Sequence, residues 1–154
     1  MKKILVIEDD ANIRESLMEL LEMKSYSVIV ADNGLEGLRL AGEQKPDLIL
    51  CDVMMPGLNG YEVIERVRAN VEIAGIPFIF LSAKAMEQDI LQGKKLGANS
   101  YLTKPFRANE LFTVVDDLLN GNRGGNGGLG QLMDSVQILA DHLTAFFLPR
   151  WKLV

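Results

Sequence analysis

Residues 46–57 read Pro46-Asp-Leu-Ile-Leu-Cys-Asp-Val-Met-Met-Pro-Gly57. Leu48–Cys51 runs without a polar interruption into Asp52, and Pro56-Gly57 closes the stretch. A short, unbroken apolar run bounded by turn residues is the pattern of a strand buried on both faces, as in a parallel sheet. The pattern recurs outward in both directions. Lys3–Ile7 runs into Glu8-Asp9, Ile76–Leu81 into Ser82, and Ser100–Thr103 into Lys104-Pro105; Ser27–Ala31 is a fifth run. Between the runs lie helical spacings: Ile13, Leu17, Leu20, Leu21 and Lys24; Leu35, Leu38 and Ala41; Tyr61, Ile64 and Val67; Ile90, Leu91 and Leu96; and Leu111 to Leu119. Repeated strand-then-helix units predict an α/β fold, a doubly wound five-stranded parallel sheet with right-handed crossovers. Ligands of such sheets bind at the carboxyl ends of the strands. The spacing therefore gathers Glu8, Asp9, Asp52, Ser82 and Lys104 in one crevice. Three acids, a hydroxyl and an ammonium suit a divalent cation and a phosphoryl group.

The chain has 154 residues, 48% hydrophobic and 24% charged, with a net charge of −5. No Lys/Arg stripe forms, so direct nucleic-acid binding is not expected. No apolar run reaches the ~18 residues needed to span a bilayer. The apolar core after Lys2-Lys3 stops at Glu8, too short for a signal peptide. The single Cys51 excludes an internal disulfide and makes the cytoplasm the expected location; it reads as a small buried strand residue.

Residues 1–120 form the expected domain. Residues 121–130 contain six glycines and read as a flexible linker with a reach of roughly 17–19 Å. Residues 131–148 read as one further helix stopped by Pro149, with 149–154 as a tail. Leu132, Val136, Leu139, Leu143 and Phe146 follow a coiled-coil seam, so this helix is expected either to dock on its own domain or to dimerise. An isolated helix of that length is marginal in water and needs a partner. Leu111, Phe112, Val114, Val115, Leu118 and Leu119 form an apolar band wider than one core-facing stripe, and the tail helix is expected to cover the surplus.

Four motifs carry a family resemblance: Ile4-Leu-Val-Ile-Glu-Asp-Asp10, the Pro46–Gly57 stretch, Phe80-Leu-Ser-Ala-Lys84 and Gly97-Ala-Asn-Ser-Tyr-Leu-Thr-Lys-Pro-Phe106. Through them residues 1 to about 120 resemble the receiver domain of bacterial two-component response regulators. The resemblance implies the flavodoxin-like strand order 2-1-3-4-5 and a phospho-acceptor at Asp52. It further implies a Mg²⁺ site made of Glu8, Asp9, Asp52 and the Met54 carbonyl, with Glu8 contacting through water. Lys104 matches the family's lysine, Ser82 its switch hydroxyl and Tyr101 its switching aromatic; Tyr101 could also be a static packed ring. Small Ala83 lets a phosphate approach the backbone. Asp10 falls outside the acidic pair and reads as the cap of the first helix. Lys104-Pro105 is a candidate cis peptide. Met54 and Lys84, two residues beyond Asp52 and Ser82, flank the water path in this family, and an apolar Met predicts slow hydrolysis.

The expected function is that of a two-component response regulator. A separate sensor histidine kinase or histidine phosphotransfer protein phosphorylates Asp52 with Mg²⁺, and the face of the fourth helix, fifth strand and fifth helix controls a downstream protein partner or self-association. His142 matches neither the kinase histidine box nor the phosphotransfer motif, so the donor is expected to be another protein. No enzyme activity is expected beyond self-catalysed aspartyl phosphorylation and dephosphorylation. A Mg²⁺-dependent phosphohydrolase needs a general acid where Met54 stands. No arginine follows Arg107 in the fifth helix, which argues against the charged dimer common in winged-helix regulators. A homodimer through the fifth helix and tail is the expected alternative assembly. A phosphorylation-independent scaffold or dimerisation module acting through the tail, and a receiver fragment of a longer regulator, are the alternative readings.

Overall fold

A computed structural model describes residues 1–121. The linker beyond Gly121, the tail seam and His142 lie outside the described residues. The elements alternate strictly: β1 (Lys3–Ile7), α1 (Ala11–Met23), β2 (Ser27–Ala31), α2 (Gly34–Gln44), β3 (Leu48–Asp52), α3 (Gly60–Ala69), β4 (Phe78–Ser82), α4 (Glu87–Lys95), β5 (Ser100–Thr103) and α5 (Ala108–Asn120). The five strands are parallel and ordered β2-β1-β3-β4-β5. The order reverses between β1 and β3, which opens the crevice expected at a switch point.

Alternate strand residues feed two cores, because successive side chains point to opposite faces. Leu5, Ile7, Ile49, Cys51, Phe78, Phe80 and Tyr101 pack against α2, α3 and α4 through Ala41, Val63, Ile64, Val67 and Ile90. Ile4, Val6, Leu48, Leu50, Ile79, Leu81 and Leu102 pack against α1 and α5 through Leu17, Leu21, Leu111 and Val115. Each such side chain contributes about 1.5–3 kcal/mol when fully buried.

Several local expectations are revised. The fourth strand begins at Phe78 rather than Ile76, because Pro77 has no N–H for the ladder and Ile76 closes a turn onto Ile73. Its pairing runs one residue further, to Ser82 opposite Thr103, as β3 runs on to Asp52 opposite Leu81. Leu35 and Leu91 are exposed, not core. In α2 the inward face is instead made of Gly34, Gly37 and Ala41. A Cβ at Gly37 would lie 2.4 Å from Ile7 Cδ1, so only hydrogen fits between helix and sheet. The expected cover of the α5 band by the tail helix lies outside the described residues. Leu111, Val114 and Val115 are buried, Leu118 and Leu119 pack against the same core, and the Lys24 ammonium lies 4.8 Å from the centre of the Phe112 ring.

Candidate functional site

Strand register builds the site. Ile7 pairs with Cys51, so Glu8 follows one strand end where Asp52 finishes the next. Ser82 pairs with Thr103, so Lys104 leaves β5 at the same level. Asp10 ends the loop after β1 by capping α1, its Oδ1 accepting from Asn12 N at 2.9 Å and Ile13 N at 3.1 Å. The peptide bond between Lys104 and Pro105 is cis.

The Lys104 ammonium donates to Glu8 Oε2 and to Asp52 Oδ2, each at 2.9 Å. The remaining Asp52 oxygen, Oδ1, accepts from Met54 N at 3.1 Å, and Glu8 Oε1 accepts from Asp10 N at 3.3 Å. Glu8 and Asp52 are buried, while Asp9 is exposed at the rim. Carboxylate oxygens of Glu8, Asp9 and Asp52 lie within 4.8 Å of one another. Two buried carboxylates share one ammonium, so the pair is one positive charge short. Burial pushes the Glu8 carboxyl up to about 7, against the pull of Lys104 and with the repulsion of Asp52. Burial alone would depress Lys104; the charges of Asp52 and Glu8 outweigh it, and its net shift is upward. The donor set is all hard oxygen, and the missing positive charge is what a divalent cation supplies, so these residues fit Mg²⁺.

This imbalance has a pH signature. A carboxyl whose folded pKa lies above its unfolded value binds its proton more tightly in the fold. Its stabilising contribution is complete below about pH 4.5 and is lost as the pH rises through about 7. With a chelator present, ionising Glu8 should remove up to roughly 3 kcal/mol between about pH 5 and pH 8. Magnesium should restore far more stability at about pH 8 than at about pH 6. Urea melts in chelator and in MgCl₂ check this; an equal magnesium effect at both pH values would contradict it.

The other expected residues divide. Ser82 is fully buried, and its Oγ accepts from Lys84 N at 3.1 Å. Tyr101 is also buried, with its hydroxyl donating to the Lys84 carbonyl at 2.8 Å. The Met54 side chain is exposed and borders a groove shared with Pro56, Asn59, Tyr61 and Lys84. The Lys84 ammonium turns toward α4, 3.9 Å from Asp89 Oδ1. Cys51 is buried, and burial pushes its thiol well up, consistent with a packing role. Sequence reasoning missed two residues. Arg14 reaches back from α1 to donate to the carbonyls of Glu8 at 2.9 Å and Asp9 at 3.5 Å, bracing the acidic loop. Tyr61 was legible only as part of a helical stripe, but its hydroxyl donates to the Asp89 carbonyl at 3.3 Å. Nothing in either residue's spacing signals these long reaches.

A parallel β2-β1-β3-β4-β5 sheet with an acid pair, a buried aspartate and a lysine at its carboxyl edge has the form of a receiver module. The response regulator receiver domain model matches residues 4–116, and the chain belongs to that family, the receivers of two-component systems. It is 36% identical over 121 residues to Protein PilH of Pseudomonas aeruginosa, covering 79% of this chain and 100% of that protein. It is 39% identical over 117 residues to the probable transcriptional regulator ycf29 of Pyropia yezoensis, covering 76% of this chain and 53% of that one. It is 41% identical over 125 residues to the phosphate regulon transcriptional regulatory protein PhoB of Pseudomonas aeruginosa, covering 81% and 55%. The chain thus spans about half the length of several relatives it matches. Among solved structures, the chemotaxis protein CheY4 of Vibrio cholerae superposes with a TM-score of 0.74 at 30% identity, covering 77% of this chain and 99% of that one. The receiver domain of the Francisella response regulator 1452 superposes at 0.73 and 33%, covering 78% and 98%. Among the described residues no helix is long and apolar enough to cross a membrane.

Proposed function

We propose that the domain accepts a phosphoryl group on Asp52 from a sensor histidine kinase or histidine phosphotransfer protein, and passes the change to a protein partner or a second copy through the α4, β5 and α5 face. The observation that supports this reading is the bidentate seat of Lys104 between Glu8 and Asp52 at the switch point. Glu8, Asp9 and Asp52, with the Met54 carbonyl, would hold Mg²⁺, which when bound neutralises charge on the entering phosphoryl oxygens. Asp52 Oδ forms the new bond to phosphorus as the donor's bond breaks. Lys104 then exchanges its Asp52 contact for a phosphoryl oxygen. The buried Ser82 hydroxyl, now held by the Lys84 amide, turns to donate to another. A scaffold indifferent to phosphorylation would have no use for a buried, charge-deficient pair, which costs stability unless something later fills it.

Phosphoryl loss is slow in this reading. Met54 offers no hydrogen bond to orient water, and the Lys84 ammonium is drawn off by Asp89. Intact mass after incubation with acetyl phosphate and MgCl₂ tests the proposal, with size-exclusion chromatography alongside. Wild type should gain one phosphoryl group that persists for minutes, and Asp52→Ala none. No uptake in wild type, or equal uptake in the variant, would overturn it.

A further inference from the structure

We infer that Tyr61 is the positioning residue that fixes where α4 begins and ties that start to the state of Ser82. The inference rests on the phospho-acceptor reading above and names its route outward. The segment joining β4 to α4 is pinned at both ends by tyrosine hydroxyls. Tyr101 donates to the Lys84 carbonyl at 2.8 Å, and Tyr61 donates to the Asp89 carbonyl at 3.3 Å. Between them, the Lys84 amide hangs on Ser82 Oγ, and the Lys84 ammonium lies against Asp89 and 6.0 Å from the centre of the Tyr61 ring.

The start of α4 has little else to define it. Its N-cap, Met86, makes no side-chain capping bond, whereas Asp10, Asn33 and Asn59 cap α1, α2 and α3 with theirs. Helix starts leave several N–H groups without intrahelical partners, and a capping side chain normally satisfies one of them. The Tyr61 hydroxyl satisfies none of those N–H groups; it ties the first turn from outside by donating to the Asp89 carbonyl.

The tyrosines are mechanically joined. Phe80 packs edge-on against Tyr61 at 5.5 Å and at a 52° tilt against Tyr101 at 5.8 Å between ring centroids. The helix rests directly on this wedge. A Cβ at Gly93 would lie 3.0 Å from both Phe80 Cδ2 and Tyr101 Cδ2, so α4 follows the rings without slack. The hydroxyls of Ser82 and Tyr61 both adjoin that of Tyr101. When Ser82 turns to a phosphoryl oxygen, the Lys84 amide loses its acceptor and residues 83–86 must find a new arrangement. The Tyr61 contact converts that local change into a displacement of the α4 first turn, rather than letting the loop absorb it.

Hydrogen–deuterium exchange over residues 84–91 of the full chain tests this, comparing wild type, Tyr61→Phe, Tyr101→Phe and Asp52→Asn. Tyr61→Phe keeps the ring packing and removes one hydroxyl. In the resting protein it should raise exchange of the first α4 turn about fivefold, the loss of one modest hydrogen bond. Asp52→Asn should not. After acetyl phosphate and MgCl₂, with uptake read by intact mass, Tyr61→Phe should be phosphorylated as fully as wild type but show less than half its change in exchange over residues 87–91. Unchanged resting exchange, or an equal response to phosphorylation, overturns the inference. If wild type takes up no phosphoryl group the acceptor reading fails, while the resting comparison still decides whether Tyr61 holds α4.

Discussion

Gly60→Ala is expected to destabilise the domain by about 3 kcal/mol or more, lowering Tm by roughly 10–20 °C. Gly60 opens α3 where the chain returns from the loop after Asp52, and its N–H donates to the Val53 carbonyl at 2.9 Å. A Cβ there would sit 2.3 Å from the Asp52 carbonyl oxygen and 2.8 Å from Val53 Cα. Both neighbours are backbone, so no rotamer change relieves the clash. Either the start of α3 lifts off the end of β3 or the end of β3 itself moves, and the second option displaces Asp52. Phosphoryl uptake should therefore fall in whatever fraction stays folded. Other glycines serve as controls because their surroundings differ. Gly42, inside α2 with nothing within 4 Å, should gain up to about 1 kcal/mol on conversion to Ala, from helix propensity alone. Gly75→Ala, also with open space, should be neutral within about 0.5 kcal/mol. Denaturant melts of the three variants check the series. A mild Gly60→Ala would mean that the acceptor loop is far softer than this packing implies.

The glycine also shows where sequence reading stops. Periodicity identified the strands, because a strand buried on both faces leaves an unbroken apolar run that ends where the polar edge begins. Glu8 and Asp52 were visible for the same reason, each being the first polar residue after such a run, and Lys104 as the first charged residue after Ser100–Thr103. Nothing in the sequence marks Gly60 as the close approach to the Asp52 backbone, because that distance is set by how α3 meets the end of β3. Leu35 and Leu91 were misplaced on helical spacing. Spacing assumes that the large apolar side chain faces inward, yet in α2 the sheet comes close enough to accept only Gly37 against Ile7. Arg14 and Tyr61 were missed because their partners are main-chain carbonyls, which every residue carries and no motif records. The acidic crevice was predicted as a collection of groups; its shortage of one positive charge appears only once Glu8 and Asp52 are seen to share a single ammonium.

That shortage governs what removing Lys104 should do. Methionine keeps the length of the side chain and deletes its charge. Breaking a buried ion pair by removing one partner costs about 3–5 kcal/mol, because the remaining charge is left in a poorly solvating place. Here two carboxylates are left, having lost the one ammonium whose two 2.9 Å bonds they shared. Glu8 has an escape, since its pKa already sits near 7 and loses a lowering influence with the lysine. It should rise further, so that below neutral pH Glu8 stays protonated and its share of the uncompensated charge is gone. Raised folded pKa values stabilise at low pH and lose that contribution as the pH climbs through them, so Lys104→Met should suffer its full loss at about pH 8 and a much smaller one at about pH 6. Magnesium should then stabilise the variant more than wild type, because no ammonium competes for the same oxygens. Phosphoryl uptake should nevertheless collapse, since a cation at the acids does not replace the donor that Lys104 presents to the phosphoryl group. Urea melts at both pH values, with and without MgCl₂, and intact mass after acetyl phosphate separate these effects. Equal destabilisation at both pH values would mean that Lys104 acts by packing. Normal phosphorylation would mean that the ammonium serves the resting fold and not the transfer.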